Sequence, residues 1–227
     1  MNPARRTSIA AGTLFVVATV TAVAAAALVP ALDGSGYLTG VAQHSHRLAA
    51  AATLYLIAAG TSVGIAIALY PLLSRINATL ALAAVVFRTI EAVFYTVAVV
   101  ALLGVLPLGR HLVATPADSG LTRTLADSLV HLREDSAIAG VLAFCTGALM
   151  YYVLFYRARL VPRWLSGWGV AGVLLMAIAC LLALFSGNPV TGYTVLILPI
   201  GVQEMVLAVW LLVRGFAPSS VDDAGRG

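Results

Sequence analysis

Six uninterrupted apolar blocks run through this chain, and they limit its fold more than any other feature. A spanning helix needs about 20 apolar residues, because about 30 Å of hydrocarbon is crossed at about 1.5 Å per residue. Six stretches meet that length: roughly Ser8–Val29, Leu48–Tyr70, Ala78–Leu106, Ser136–Tyr156, Trp164–Phe185 and Thr191–Val213. A bilayer core offers no partners to exposed backbone, so helices are the economical way to cross it. The expected fold is an all-α bundle of six transmembrane helices with a short outer interfacial helix. With 61% hydrophobic and only 10% charged residues, the 227-residue chain is excluded as a water-soluble enzyme, a nucleic-acid reader or a disordered tail.

Prolines and glycines mark the expected ends. Pro30, Pro71 and Pro107 close the first three blocks, and Gly187-Asn188-Pro189 links the last two. The formal charge of +4 does not point to nucleic acid, since the arginines fall singly or in pairs at block ends. One side holds Arg5, Arg6, Arg75, Arg157, Arg159, Arg163, Arg214 and Arg226, and the other Arg47, Arg110, Arg123 and Arg133. Eight against four places both termini in the cytoplasm. Residues 1–216 then form one transmembrane domain and 217–227 a disordered cytoplasmic tail. The first block is longer than the 7–15 residues typical of a signal core, which favours a retained helix over a cleaved leader.

The outer segment Leu108–Asp135 is long. Thr115-Pro116 reads as an N-cap and first-turn proline, and Leu121, Leu125, Leu129 and Leu132 recur at helical spacing. This segment is expected to be a short helix, either lying on the membrane surface or packed on the bundle. No internal repeat supports an inverted-repeat transporter.

A set of local patterns points further. Ser8-Ile9-Ala10-Ala11-Gly12 enters the first block, and Leu69-Tyr70-Pro71-Leu72-Leu73-Ser74-Arg75-Ile76-Asn77 leads into Phe87-Arg88-Thr89-Ile90-Glu91-Ala92. Thr115-Pro116, Val130-His131, Glu204, Trp210-Leu211-Leu212 and Gly215-Phe216 follow. Together these resemble the bacterial multi-pass membrane family known as domain of unknown function 4386, although Ser8 stands where that pattern has a basic residue. The resemblance implies six helices in a bacterial inner membrane. It implies no activity.

Three ionisable residues lie inside the blocks: Arg88 and Glu91 in the third, Glu204 in the sixth. Arg88 is eleven residues beyond Asn77, about 16 Å deep, and Glu204 is ten before Arg214, about 15 Å from the same side. Glu91 follows Arg88 by three positions on one helix face, and Tyr95 continues that stripe. A lone charge at mid-bilayer costs about 2.5–3.5 kcal/mol on insertion scales, so the three are expected to face inward and pair. One arginine does not neutralise two carboxylates. The remainder calls for one proton shared by the cluster, or for donors from Gln203, Tyr95, Tyr55 or water. Pro199 and Gly201 precede Gln203 and Glu204, and the proline is expected to kink the helix beside the acid. Gly60 and Gly64, with Ser62 between them, read as a packing face of the second block. The same trio can equally serve as structural glue that fixes helix register.

His44, His46, His111 and His131 fall on the outer side, and a His-x-His pair alone is better read as interfacial polarity than as a metal site. Cys145 and Cys180 sit in apolar segments, and no disulfide is assigned to them. No nucleotide, serine-nucleophile or HExxH motif occurs, so neither catalytic residue, cofactor nor metal is expected. The expected partners are the lipid bilayer and a small solute or proton. The rival function is a non-catalytic accessory or structural membrane subunit.

Overall fold

Each apolar block is one long helix in the computed structural model, which describes residues 3–34, 36–115, 119–187 and 190–217. The order is α1 (Pro3–Leu28), α2 (Tyr37–Gln43), α3 (Ser45–Leu73), α4 (Ala78–Ala114), α5 (Ser119–Ala158), α6 (Arg163–Ser186), a single 3-10 turn (Val190–Tyr193) and α7 (Thr194–Val213). No strand occurs among the described residues. Six of the helices are long and apolar enough to cross a membrane. Their outward faces carry bare hydrophobics such as Val20, Val100 and Phe185, the last 86% exposed, a surface suited to acyl chains and not to water. The protein is a multi-pass, all-α membrane bundle.

Spanning helices adjacent in sequence pack side by side, α2 lies mainly against α4, and α1 meets α7 to close the circuit. Arg5 at the start of α1 locks this closure. Its guanidinium donates to Leu211 O at 3.2 Å and to Leu212 O at 2.6 Å, so it satisfies two orphan carbonyls at the end of α7. The start of α1 and the end of α7 therefore lie at the same end of the bundle. The inner core draws mostly on α5, with Ala148, Tyr151, Tyr152 and Phe155 packed against Phe15 of α1 and Leu207 and Leu211 of α7.

Two prolines do not act as expected. Pro71 and Pro107 lie inside α3 and α4, which run on to Leu73 and Ala114. An interior proline costs about 3 kcal/mol or more. Beyond Pro107, α4 repays this by burying Leu112 in an outer core with Leu38 and Val41 of α2 and Val130 of α5. Each such side chain contributes about 1.5–3 kcal/mol.

The outer segment also differs from expectation. Thr115 closes α4 as its C-cap, donating its amide to His111 O, and Pro116 lies outside the described residues. Residues 119–135 are not a separate interfacial helix. They are the first turns of α5, whose 40 residues span about 60 Å, roughly twice a hydrocarbon core. Ala126 and Val130 face inward, while Leu121, Leu125 and Leu132 are exposed at 71%, 48% and 47%. The short helix at this end of the bundle is α2 instead. There the Tyr37 hydroxyl donates to Asp127 Oδ1 at 2.6 Å, and burial together with this carboxylate raises the phenol above its ordinary value. Asn188, Pro189 and residues 218–227 lie outside the described set. Ala217 is held, its amide donating to Leu160 O at 3.0 Å.

Candidate buried polar site

The i, i+3 spacing on α4 brings Arg88 Nη1 to 3.1 Å from Glu91 Oε2. Both residues are almost fully buried, 2% and 3% exposed. Ser62 on α3 completes this pair. Its hydroxyl donates to Glu91 Oε2 at 2.8 Å, and its carbonyl accepts from Arg88 Nε at 3.5 Å. The Phe144 ring of α5 lies 4.7 Å from the guanidinium carbon, a cation–π contact that partly replaces lost hydration. Gly147 makes room for the arginine, since a Cβ there would stand 3.2 Å from Arg88 Cγ and 3.2 Å from Phe87 Cβ.

Glu204 is near this pair without joining it. Its carboxylate interacts electrostatically with Arg88 and Glu91, yet Oε1 is buried with no hydrogen-bond partner among the described residues. Two other buried atoms share that condition: Arg88 Nη1, which is close to Glu91 but not aligned for a hydrogen bond, and the Tyr151 hydroxyl. Tyr151 lies in the field of both Arg88 and Glu204. Its hydroxyl adjoins Tyr152 without hydrogen-bond geometry, the two rings tilted at 53° with centroids 4.6 Å apart. A donor from α4, a hydroxyl from α5 and a carboxyl from α7 thus share one buried neighbourhood, the donor with only its ion pair to Glu91 and the other two without a hydrogen bond.

Gln203 serves a different network from the one expected. Its Oε1 accepts from the Tyr152 hydroxyl at 2.6 Å, and its Nε2 donates to Leu165 O at 3.0 Å. Gly169 permits this, because any Cβ there would meet the Tyr152 ring at 2.5 Å. Tyr95 is partly buried one turn beyond Glu91, against Gly140, and lines a cavity of about 80 Å³ with Tyr55 and Arg133. Neither Tyr95 nor Tyr55 supplies a donor to the cluster; Ser62 does. Gly64 lies beside Leu14 of α1, but Gly60 has open space at its Cβ position, so the two glycines do not form one packing face. Pro199 lies within α7, which continues through it, and Gly201 has open space beside it.

The remaining candidates stay apart from this site. His44 Nδ1 is 2.9 Å from Gly40 O, and His131 lies 4.0 Å from Glu134 at an exposed surface. Among the described residues no three of His, Cys, Asp or Glu come together to hold a metal ion. Cys145 and Cys180 are buried free thiols. Sequence reasoning missed Tyr151, Tyr152, Phe144 and Gly147, because aromatic and small residues inside an apolar run look like core. Their common spacing along α5, with Gly147 one turn before Tyr151, was the available signal.

No curated protein and no solved structure matches the chain. A family model described as a domain of unknown function, DUF4386, matches residues 10–215. That match covers nearly the whole bundle, from Ala10 in α1 to Gly215 after α7, including the α3–α4 turn, the Arg88–Glu91 pair and Glu204, and the chain belongs to the DUF4386 family of multi-pass membrane proteins.

Proposed function

We propose that the protein binds or moves a proton or small polar solute at the site between Arg88, Tyr151 and Glu204. The observation that carries this reading is that Glu204 Oε1 on α7 and the Tyr151 hydroxyl on α5, both buried without a hydrogen bond, lie in the field of Arg88 on α4, whose Nη1 has only its ion pair with Glu91. A buried hydroxyl or amide without a partner costs about 1–3 kcal/mol, and a bare charge more. A carboxyl beside an arginine already engaged by Glu91 is suited to exchanging a proton, or to receiving a solute that brings a donor of its own. The cavity around Tyr95, Tyr55 and Arg133, one helical turn beyond Glu91, supports an approach from the outer side. The excess of arginine at the end with both termini supports placing that end in the cytoplasm of a bacterial plasma membrane.

The test is Glu204→Gln in proteoliposomes loaded with a pH-sensitive dye. The variant is expected to fold with wild-type yield and thermal stability while its pH-dependent signal disappears. A variant that unfolds, or one that keeps the wild-type signal, overturns the proposal. The exposed Leu121, Leu125 and Leu132 on the outer turns of α5 favour a second reading, an accessory subunit that contacts a partner there. Under that reading neutral substitutions in the buried site change thermal stability alone.

A further inference from the structure

On the side of the buried cluster that faces α2, helices α3, α4 and α5 leave a cavity of about 80 Å³ between them. Tyr55 of α3, Tyr95 of α4 and Arg133 of α5 are its polar lining residues, one from each helix. The rest of the wall is apolar. Ala98, Val99 and Leu102 of α4 are buried there, and Leu102 also belongs to the core that α2 closes. Ala98, with Ala137 across from it on α5, is small enough to leave the space open.

This lining is rich in donors and poor in acceptors. A guanidinium owns five N–H groups and no acceptor, and each phenol adds one O–H. Among the described residues no carboxylate or side-chain amide lines the cavity. Nor does any of the three side chains make a hydrogen bond there, and Arg133 has no ion pair. The acids next to it in sequence point elsewhere: Glu134 lies 4.0 Å from His131, and Asp135 is exposed. Water satisfies a phenol, which both donates and accepts, but brings no charge to a guanidinium. Beside an apolar wall that charge attracts an anion more strongly than it does in bulk water.

Size and shape narrow the anion. A dry cavity of about 150 Å³ takes benzene, so about half that volume holds an anion of about three or four non-hydrogen atoms. Two parallel N–H groups on a guanidinium edge match the two oxygens of a planar carboxylate, a fit that a halide does not reproduce. One arginine balances one negative charge, and the alanine and leucine wall suits a methyl group. We infer that this cavity binds a short monocarboxylate of the size of acetate, its oxygens on Arg133, Tyr55 and Tyr95 and its methyl group against α4. The cavity is the approach assigned above to the buried cluster, but binding there needs no proton exchange at Glu204, so the two readings fail separately.

The experiment is saturation-transfer NMR on the full-length protein in neutral detergent, titrated with methyl-labelled acetate or with acetamide, a neutral molecule of the same shape. Acetate is expected to bind at least about tenfold more tightly than acetamide, and at least about tenfold more tightly than pivalate, which is too bulky for the cavity. Arg133→Gln is expected to lower acetate affinity at least about tenfold and to leave acetamide unchanged, and Tyr55→Phe to lower it about threefold. Arg133 is partly exposed, so its variant is expected to melt like wild type. The comparison of acetate with acetamide and pivalate uses wild type alone, so it decides the matter even if that variant fails to fold. Acetate binding no more tightly than acetamide or pivalate, or Arg133→Gln binding acetate like wild type, overturns the inference. Displacement of acetate by phosphatidylglycerol but not by phosphatidylcholine overturns it in favour of a lipid headgroup on Arg133.

Discussion

Two neighbouring pairs across the α5–α7 contact have opposite characters. Tyr152 and Gln203 satisfy each other, and the spare amide of Gln203 reaches Leu165 O on α6. Tyr151 and Glu204, the next residues along the same two helices, each keep a buried polar atom without a partner. Sequence neighbours on the same two helices thus build a closed lock and an open site side by side. The closed pair has little left to do but hold α5, α6 and α7 in register, because the Tyr152 hydroxyl and both polar atoms of the Gln203 amide each have a partner. The open pair has free capacity at a place where free capacity is costly. A stability role explains the first and leaves the second unexplained, and this contrast is why the proposed function rests on Glu204 and not on Gln203.

The comparison is broken most severely at Arg88. Glu91→Gln leaves the buried guanidinium without its charged partner, and uncompensated buried charges cost about 3–5 kcal/mol. A large fall in detergent melting temperature is expected. Glu204→Gln replaces a buried carboxyl whose Oε1 has no hydrogen-bond partner, so it is expected to leave melting temperature unchanged or higher. If both variants melt alike, Glu204 is as much a structural partner of Arg88 as Glu91 is, and the distinction between closed and open pairs fails.

A smaller effect comes from opening the closed pair. Gln203→Leu strands the Tyr152 hydroxyl, a group with no exposed surface, at a cost of about 1–3 kcal/mol. The double variant Tyr152→Phe/Gln203→Leu removes both partners and is expected to recover much of that loss. Thermal melts of the two single variants and the double variant give the coupling directly. A double variant no more stable than Gln203→Leu would mean that the lock holds through shape and not through its hydrogen bond.

The same contrast explains which parts were legible in the sequence. Apolar block length is set by bilayer thickness, so all six spanning helices could be read from composition, and the i, i+3 spacing of Arg88 and Glu91 fixed their shared face. Helix ends were harder, because Pro71 and Pro107 interrupt only one hydrogen bond each, while the packing of α4 on α2 depends on tertiary contacts. Depth arithmetic put Arg88 and Glu204 at one height, yet height along a helix says nothing of azimuth across the bundle. That is why spacing alone groups Gln203 with the arginine although its side chain turns towards Tyr152, and why Ser62, on a third helix, looks like packing. Tyr151 and Tyr152 carried no signal of their own, since an aromatic residue inside an apolar run is core by default.

A third tyrosine supplies the smallest effect and sharpens what burial adds. Tyr37 on α2 is closed like Tyr152, its hydroxyl bonded to Asp127, but this pair sits in the outer core where Asp127 is open to solvent. Its loss is therefore expected to cost no more than about 1 kcal/mol in Tyr37→Phe, less than the opening of Tyr152. The pH dependence has a fixed sign. Burial, and then the Asp127 carboxylate, raise the Tyr37 phenol above its unfolded value of about 10, so its contribution is fully present below about pH 10 and is lost as pH rises through the folded value. Wild type and Tyr37→Phe should differ in melting temperature at pH 8, and the gap should begin to narrow as the pH rises above about 10. No gap at pH 8 would show that the ring's packing, and not its hydroxyl, anchors α2 to the end of the α4–α5 hairpin, and a gap that stays constant above about pH 10 would show that ionisation of the phenol does not break the bond to Asp127.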